Sequence, residues 1–145
     1  MRKRLPIILL IACVLSACDK MPMNGDLDGM WQLMSEQWSD STANRKEDKV
    51  YLSFMLHTAQ FDKAGSTHFY SEFSHQGDTI VLYNICHKSQ TKDITDTNDP
   101  VTEDELSDLQ PWGIYSLNPS FHVDQLSKET LILTAETCTL CFRKF

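Results

Sequence analysis

The sequence predicts a mostly β domain, an antiparallel barrel or sandwich of about seven or eight short strands with one small helix. Three observations predict it. Residues 50–57 alternate, with Val50, Leu52, Phe54 and Leu56 on one face and Tyr51, Ser53, Met55 and His57 on the other, which is the period of a half-buried strand. Residues 67–85 read as a hairpin: Thr67 to Phe73 alternates, His75-Gln76-Gly77-Asp78 is turn chemistry, and Thr79 to Ile85 is rich in branched and aromatic side chains. The chain ends in a three-stranded meander, with strands Phe121 to Leu126, Thr130 to Ala135 and Cys138 to Phe145, and a turn at Ser127-Lys128-Glu129.

The first eighteen residues give an address rather than a fold. Arg2, Lys3 and Arg4 are a basic start, and Leu5 to Leu15 is apolar and interrupted only by Pro6. As a helix this run reaches about 16 Å, too short for ~30 Å of hydrocarbon, so it reads as the core of a secretory signal. Leu15-Ser16-Ala17-Cys18 then resembles a bacterial lipobox. The resemblance implies cleavage before Cys18 and a diacylglycerol on its thiol. Residues 1–17 are therefore expected to be a lipoprotein signal peptide and residues 18–28 a lipidated tether, with Pro22, Asn24 and Gly25 in a polar stretch. The folded domain is expected over 29–145.

Within that domain, Met30 to Trp38 suits a first strand. Residues 88–101 are polar, with Asp93, Asp96, Asp99 and Pro100, and read as a long acidic loop. Thr102-Glu103-Asp104-Glu105 has the spacing of a capping box. A short helix over about 103–109 should follow, stopped by Pro111, and Trp112 to Leu117 reads as another strand. No internal repeat occurs.

Composition excludes several functions. Removing residues 1–17 takes three of the 13 Lys/Arg and none of the 20 Asp/Glu, so 128 residues remain with a net charge of −10, His neutral. Nucleic-acid binding needs clustered Lys/Arg to neutralise phosphates, and this chain is too acidic for it. With Cys13 in the signal and Cys18 acylated, Cys86, Cys138 and Cys141 are left. At most one disulfide can form among three thiols, so this is not a disulfide scaffold.

The reactive-looking motifs have plainer readings. Cys138-Thr139-Leu140-Cys141 has redox or zinc spacing, but on a strand residues i and i+3 lie ~10 Å apart, beyond the ~7 Å a bridge tolerates. The pair is expected to be unbonded. Zinc held by Cys86, His87 and this pair would need a turn where the pattern shows a strand. His57, His68, His75, His87 and His122 are scattered and make no metal motif. Asp93, Asp96, Asn98 and Asp99 fail the calcium-loop pattern at Pro100 and Val101. No metal, no cofactor and no catalytic set is assigned.

A family resemblance adds to this reading. Gly29-Met30-Trp31 is similar to the Gly-x-Trp that opens the first strand of lipocalin-like (calycin) domains. Phe121-x-Val123, Leu131-x-Leu133 and Leu140-x-Phe142-Arg143 resemble the closing strands of small lipocalin-like lipoproteins common in Bacteroidetes. The resemblance spans about residues 29–145 and implies an up-and-down barrel of about eight strands. It also implies a basic residue of the last strand, Arg143 or Lys144, lying over Trp31 as a cation–π pair.

The expectation is a non-enzymatic lipoprotein anchored in the cell envelope of a Gram-negative bacterium, at its outer membrane. It would bind a small apolar ligand inside the barrel through Trp112, Tyr51, Phe54 and Tyr83. If the aromatic side chains fill the interior instead, the protein is a module that docks an envelope partner. Trp112, between Pro111 and Gly113, is expected to matter less to stability than Trp31 and more to binding.

Overall fold

The computed structural model describes residues 23–88 and 99–145. The signal, Cys18, the start of the tether, and Asp93, Asp96 and Asn98 of the acidic loop lie outside the described residues. Among the described residues nine strands follow one another: β1 (Gly29–Gln37), β2 (Thr42–Asn44), β3 (Val50–Met55), β4 (Thr58–Lys63), β5 (Ser66–Gln76), β6 (Thr79–His87), β7 (Ser120–Leu126), β8 (Thr130–Thr134) and β9 (Thr139–Lys144). All pairings are antiparallel, and β9 returns to β1. Eight strands thus close an up-and-down barrel, which leaves no long unpaired edge. β2 and β3 share the other edge of β1: β3 pairs with Gly29–Gln32 and β2 with Ser35–Gln37. The barrel resolves the choice between barrel and sandwich.

Two strands carry no clear signal in the sequence. β2 has only three residues. β4, Thr58-Ala59-Gln60-Phe61-Asp62-Lys63, has only two apolar residues, and both Phe61 on its inner face and Asp62 on its outer face are buried. A bulge on the neighbouring β5 leaves His68 unpaired, so that Phe61 faces Phe69 but Asp62 faces Thr67. Val50, Leu52 and Phe54 point inward as expected, but Leu56 does not. It sits in the two-residue turn between β3 and β4 at φ 57, with 59% of its surface exposed. That left-handed conformation costs a leucine about 1–2 kcal/mol.

The helix also departs from expectation. It is a 3-10 helix over Glu103–Trp112, with Pro111 inside it rather than beyond it. Its start is the anticipated capping box, in which the Glu105 carboxylate accepts from the Thr102 N–H at 2.9 Å and from its hydroxyl at 3.0 Å. Its end is set by Gly113 at φ 73, where a Cβ would stand 2.3 Å from a methyl of Leu140. Residues 112–117 are consequently not a strand. The close approach of Gly113 to β9 brings the helix end down onto the barrel mouth.

The lower end of the barrel holds the start of β1, the β3–β4 and β5–β6 turns and the end of β9. It is shut by Trp31. The indole is fully buried, its Nε1–H donates to Leu27 O at 2.8 Å, and Lys144 Nζ lies 4.3 Å from the ring centroid. Of the two basic residues expected over the ring, Lys144 takes that place, while Arg143 donates to Gln32 Oε1 at 3.0 Å. Lys144 Nζ also donates to Asp26 O at 2.9 Å and to Asp28 O. Burial holds its ammonium below the usual lysine range, against the pull of Asp26 and Asp28. Gly29 is at φ 117, a conformation that L side chains rarely adopt, and a Cβ there would also meet Lys144 Cε at 2.9 Å, so the backbone calls for the glycine of Gly-x-Trp. Leu27, in a 3-10 turn over Gly25–Leu27, is fully buried. The packed part of the fold therefore begins ahead of Gly29, within what reads as tether in the sequence.

Candidate functional site

The inward face of the barrel is occupied by its own side chains. Phe54 packs edge-on against Phe73 at 5.0 Å, and Phe61 against Phe69 at 6.3 Å, all four buried. Trp112 closes the upper part of this column. Its ring meets Phe61 at 5.8 Å and Phe69 at 5.7 Å, and it is only 2% exposed. Its Nε1–H lies between two strands, 3.0 Å from Tyr51 O and 3.2 Å from Asp62 O. The expectation of a loop tryptophan free to meet a ligand is corrected: Trp112 is a plug. Pro111 and Gly113 mark a tight turn, and in this protein the turn drives the indole inward.

Beside the plug sits a charged cluster that the sequence does not announce. Glu36 is fully buried on β1. Arg45 donates to its Oε2 from Nη2 at 2.8 Å and from Nε at 3.1 Å, and the Tyr115 hydroxyl donates to Oε1. The Glu36 bond holds the guanidinium above its ordinary range. Burial, and then the Glu36 carboxylate, push the Tyr115 phenol well above the usual tyrosine range. Burial likewise raises the neighbouring Cys138 thiol. Both shifts favour the protonated phenol and thiol. Glu36 points inward because a bulge between Leu33 and Ser35 shifts the register of β1 against β9. Read without that bulge, Glu36 would share a face with Gln32 and face out.

The most promising recess lies on the outer wall. A groove of about 590 Å³ is lined by Met30 of β1, Tyr51 of β3, Gln60 and Asp62 of β4, Thr67 of β5 and the terminal Phe145, among others. Phe145 is 72% exposed, is held by its N–H to Met30 O at 2.9 Å, and stands edge-on to Tyr51 at 5.0 Å. Opposite these apolar groups is a polar floor. The buried Asp62 carboxylate accepts from Thr67 Oγ1 at 2.6 Å and from Gln60 Nε2 at 2.9 Å. An apolar wall facing a few fixed polar groups is the usual make-up of a small-molecule site. Two smaller outer recesses, of about 430 and 330 Å³, flank Arg45 and Tyr115 respectively.

Of the four side chains expected to bind a ligand, Tyr51 alone lines this groove. Phe54 is core, Trp112 is the plug whose N–H reaches the backbone of Tyr51, and Tyr83 is half-buried on β6 opposite Glu72. Gln60, Asp62 and Thr67 are not singled out as site residues in the sequence because polar side chains on the outer face of a strand look alike whether they line a groove or face water, and the β5 bulge at His68 that sets Thr67 opposite Asp62 leaves no periodic trace. Cys138 precedes β9 and Cys141 lies within it, and both are free thiols. Among the described residues no cluster of three or more His, Cys, Asp or Glu is arranged to hold a metal, and no helix is long and apolar enough to cross a membrane.

A closed eight-stranded up-and-down barrel, sealed at one end by a first-strand tryptophan under a last-strand lysine, defines the lipocalin-like class. The chain belongs to the lipocalin-like domain family, whose sequence model matches residues 13–145. Two solved structures share the fold. A lipocalin-like protein from Bacteroides uniformis is 22% identical, with a TM-score of 0.59, covering 83% of this chain and 100% of its own. An uncharacterized protein from Bacteroides eggerthii is 24% identical, with a TM-score of 0.58, covering 82% and 99%. The chain matches no curated protein.

Proposed function

We propose that the protein is a non-enzymatic, lipid-anchored envelope protein that binds a small amphiphilic molecule in the groove on the outside of its barrel. The observation that carries the binding is the make-up of that groove. Met30, Tyr51 and Phe145 offer an apolar and aromatic wall, and the Asp62 carboxylate offers an acceptor for a hydroxyl or N–H of the ligand. A ligand inside the barrel would instead have to displace Phe54, Phe61 or Trp112. Losing the packing of such a residue costs about 3–5 kcal/mol, more than an ordinary apolar ligand returns. An acidic chain is also a poor partner for nucleic acid, and none is assigned.

N-phenyl-1-naphthylamine, a neutral aromatic with one N–H, is a suitable probe. Its addition should shift the amide resonances of residues 30, 51, 60, 62 and 67, and Tyr51→Ala together with Phe145→Ala should weaken binding about tenfold or more, about 1.4 kcal/mol. Shifts confined to residues 54, 73 and 82 would place the ligand inside the barrel and refute the outer groove. A probe that shifts nothing would leave the docking of an envelope partner as the better reading.

The anchoring rests on Leu15-Ser16-Ala17-Cys18. A fatty-acid probe fed to cells should label the wild type and not Cys18→Ser. The stable attachment of a multiply acylated chain, at ~0.8 kcal/mol per buried methylene, is what would hold so acidic a domain at the outer membrane of a Gram-negative cell.

A further inference from the structure

We infer that the lower end of the barrel sits in the lipid surface, with Met23, Met55 and Leu56 entering the headgroup region beside the anchor. The inference rests on the lipidation of Cys18 and adds an orientation to it. Met23, Met55 and Leu56 are 59%, 66% and 59% exposed. They belong to one end of the molecule. Met55 and Leu56 form the tip of the β3–β4 hairpin, and Asn24, the neighbour of Met23, donates from Nδ2 to Leu56 O at 2.9 Å. Asn24 is itself fixed by Asp28, which accepts from its N–H at 3.1 Å and from Nδ2 at 2.6 Å. The chain therefore leaves the barrel at this tip.

The length of the leader decides what covers the tip. Four residues, 19–22, lie between Cys18 and Met23, and the five steps from one to the other span at most about 18 Å even when fully extended. An acylated Cys18 thus holds Met23, and with it the β3–β4 tip that Asn24 ties to it, within about 18 Å of the membrane surface. Fold stability does not account for Leu56. It occupies a left-handed turn position that suits Asn or Gly, and most of its side chain touches nothing. An exposed aliphatic group at a strained turn makes sense where its surroundings are not water. Charge does not drive the contact. Lys144 is spent on Trp31, Asp26 O and Asp28 O, the exposed Lys128 of the β7–β8 turn is followed directly by Glu129, and the Asp26 and Asp28 carboxylates disfavour an anionic surface. The surface it fits is zwitterionic and the contact is apolar.

Photocross-linking tests this with the full lipidated protein in phosphatidylcholine vesicles. The benzophenone amino acid p-benzoylphenylalanine is placed at position 55, or at position 66 on the hairpin tip at the opposite end of the barrel. Position 55 should give severalfold more phospholipid adduct than position 66, and Leu56→Asp should reduce the adduct at position 55 without changing the far-ultraviolet circular dichroism. Equal adduct at both positions, in protein that carries the fatty-acid label and floats with the vesicles, overturns the orientation alone. Protein that carries no fatty-acid label overturns the anchor, and the orientation with it. Adducts to protein but not to lipid at position 55 mean that a protein covers the tip, and also refute the inference.

Discussion

Trp112→Ala is expected to destabilise the domain by about 3–5 kcal/mol, as much as Trp31→Ala. The two tryptophans seal opposite ends of one column of side chains. Trp31 is fully buried beneath Lys144, and Trp112 rests on Phe61 and Phe69. Truncating either leaves a hole that the closed sheet cannot collapse to fill, because the strands around it are held by pairing on both sides. Trp112→Ala also strips the Tyr51 and Asp62 carbonyls of the indole N–H they share. Trp112→Phe separates these effects: it keeps much of the ring but loses the donor, and should cost the ring's smaller volume plus about 1 kcal/mol for the bond. Urea unfolding followed by circular dichroism measures all three. A Trp112→Ala midpoint close to the wild type would show that the indole is not a plug, and would return Trp112 to the role of a free loop residue.

The second large effect concerns the buried Glu36. Arg45→Met should cost about 3 kcal/mol, because removing one partner of a buried pair leaves the other charge stranded. Arg45 itself keeps a quarter of its side chain in water, so the reverse change, Glu36→Leu, is milder. It leaves a cation that can turn to solvent and a Tyr115 hydroxyl without its acceptor, together about 1–2 kcal/mol. The double substitution Glu36→Leu/Arg45→Met should recover much of the loss of Arg45→Met alone. Tyr115→Phe in the wild type and in Arg45→Met reports the Tyr115–Glu36 bond. Chemical denaturation of the four proteins completes the cycle. If Arg45→Met and the double variant unfold together at the same urea concentration, Glu36 is not stranded by loss of the arginine, and the ion pair contributes nothing that packing does not.

How much was legible follows the physics of each element. β3, β5, β6 and the closing meander carry period-2 patterns because one face meets the core and the other meets water, and that contrast is written directly into side-chain type. The capping box at Thr102 and Glu105 was legible for a similar reason: both partners lie within one turn, so no distant contact is needed. The closing of the barrel was legible by resemblance, through Gly29, Trp31 and the basic end of β9. β2 was too short to show a period, and β4, although it alternates, has only Ala59 and Phe61 as apolar residues to show it. The strand reading of 112–117 failed because a run of apolar residues looks alike in a strand and in a segment packed down onto a barrel mouth.

The candidate site divides along the same line. Tyr51 could be singled out because an aromatic on an alternating strand is informative by itself. Glu36 and Asp62 could not: Glu36 is turned inward by the bulge between Leu33 and Ser35 of β1, and Asp62 keeps the outer face of β4 but is buried by side chains of other strands. The outer groove exists only because Phe145, at the end of the chain, is held by Met30 near its beginning. By itself, the sequence determined the class of fold and its antiparallel hairpins, because these follow from local periodicity; the family resemblance implied a basic residue over Trp31 but left Arg143 and Lys144 both open, and the structure placed Lys144 there. Only the tertiary structure decided that Trp112 fills the barrel, that Leu56 points out, and that the recess lies on the wall rather than within. Which way a side chain faces at a bulge or a turn depends on contacts made with residues far along the chain.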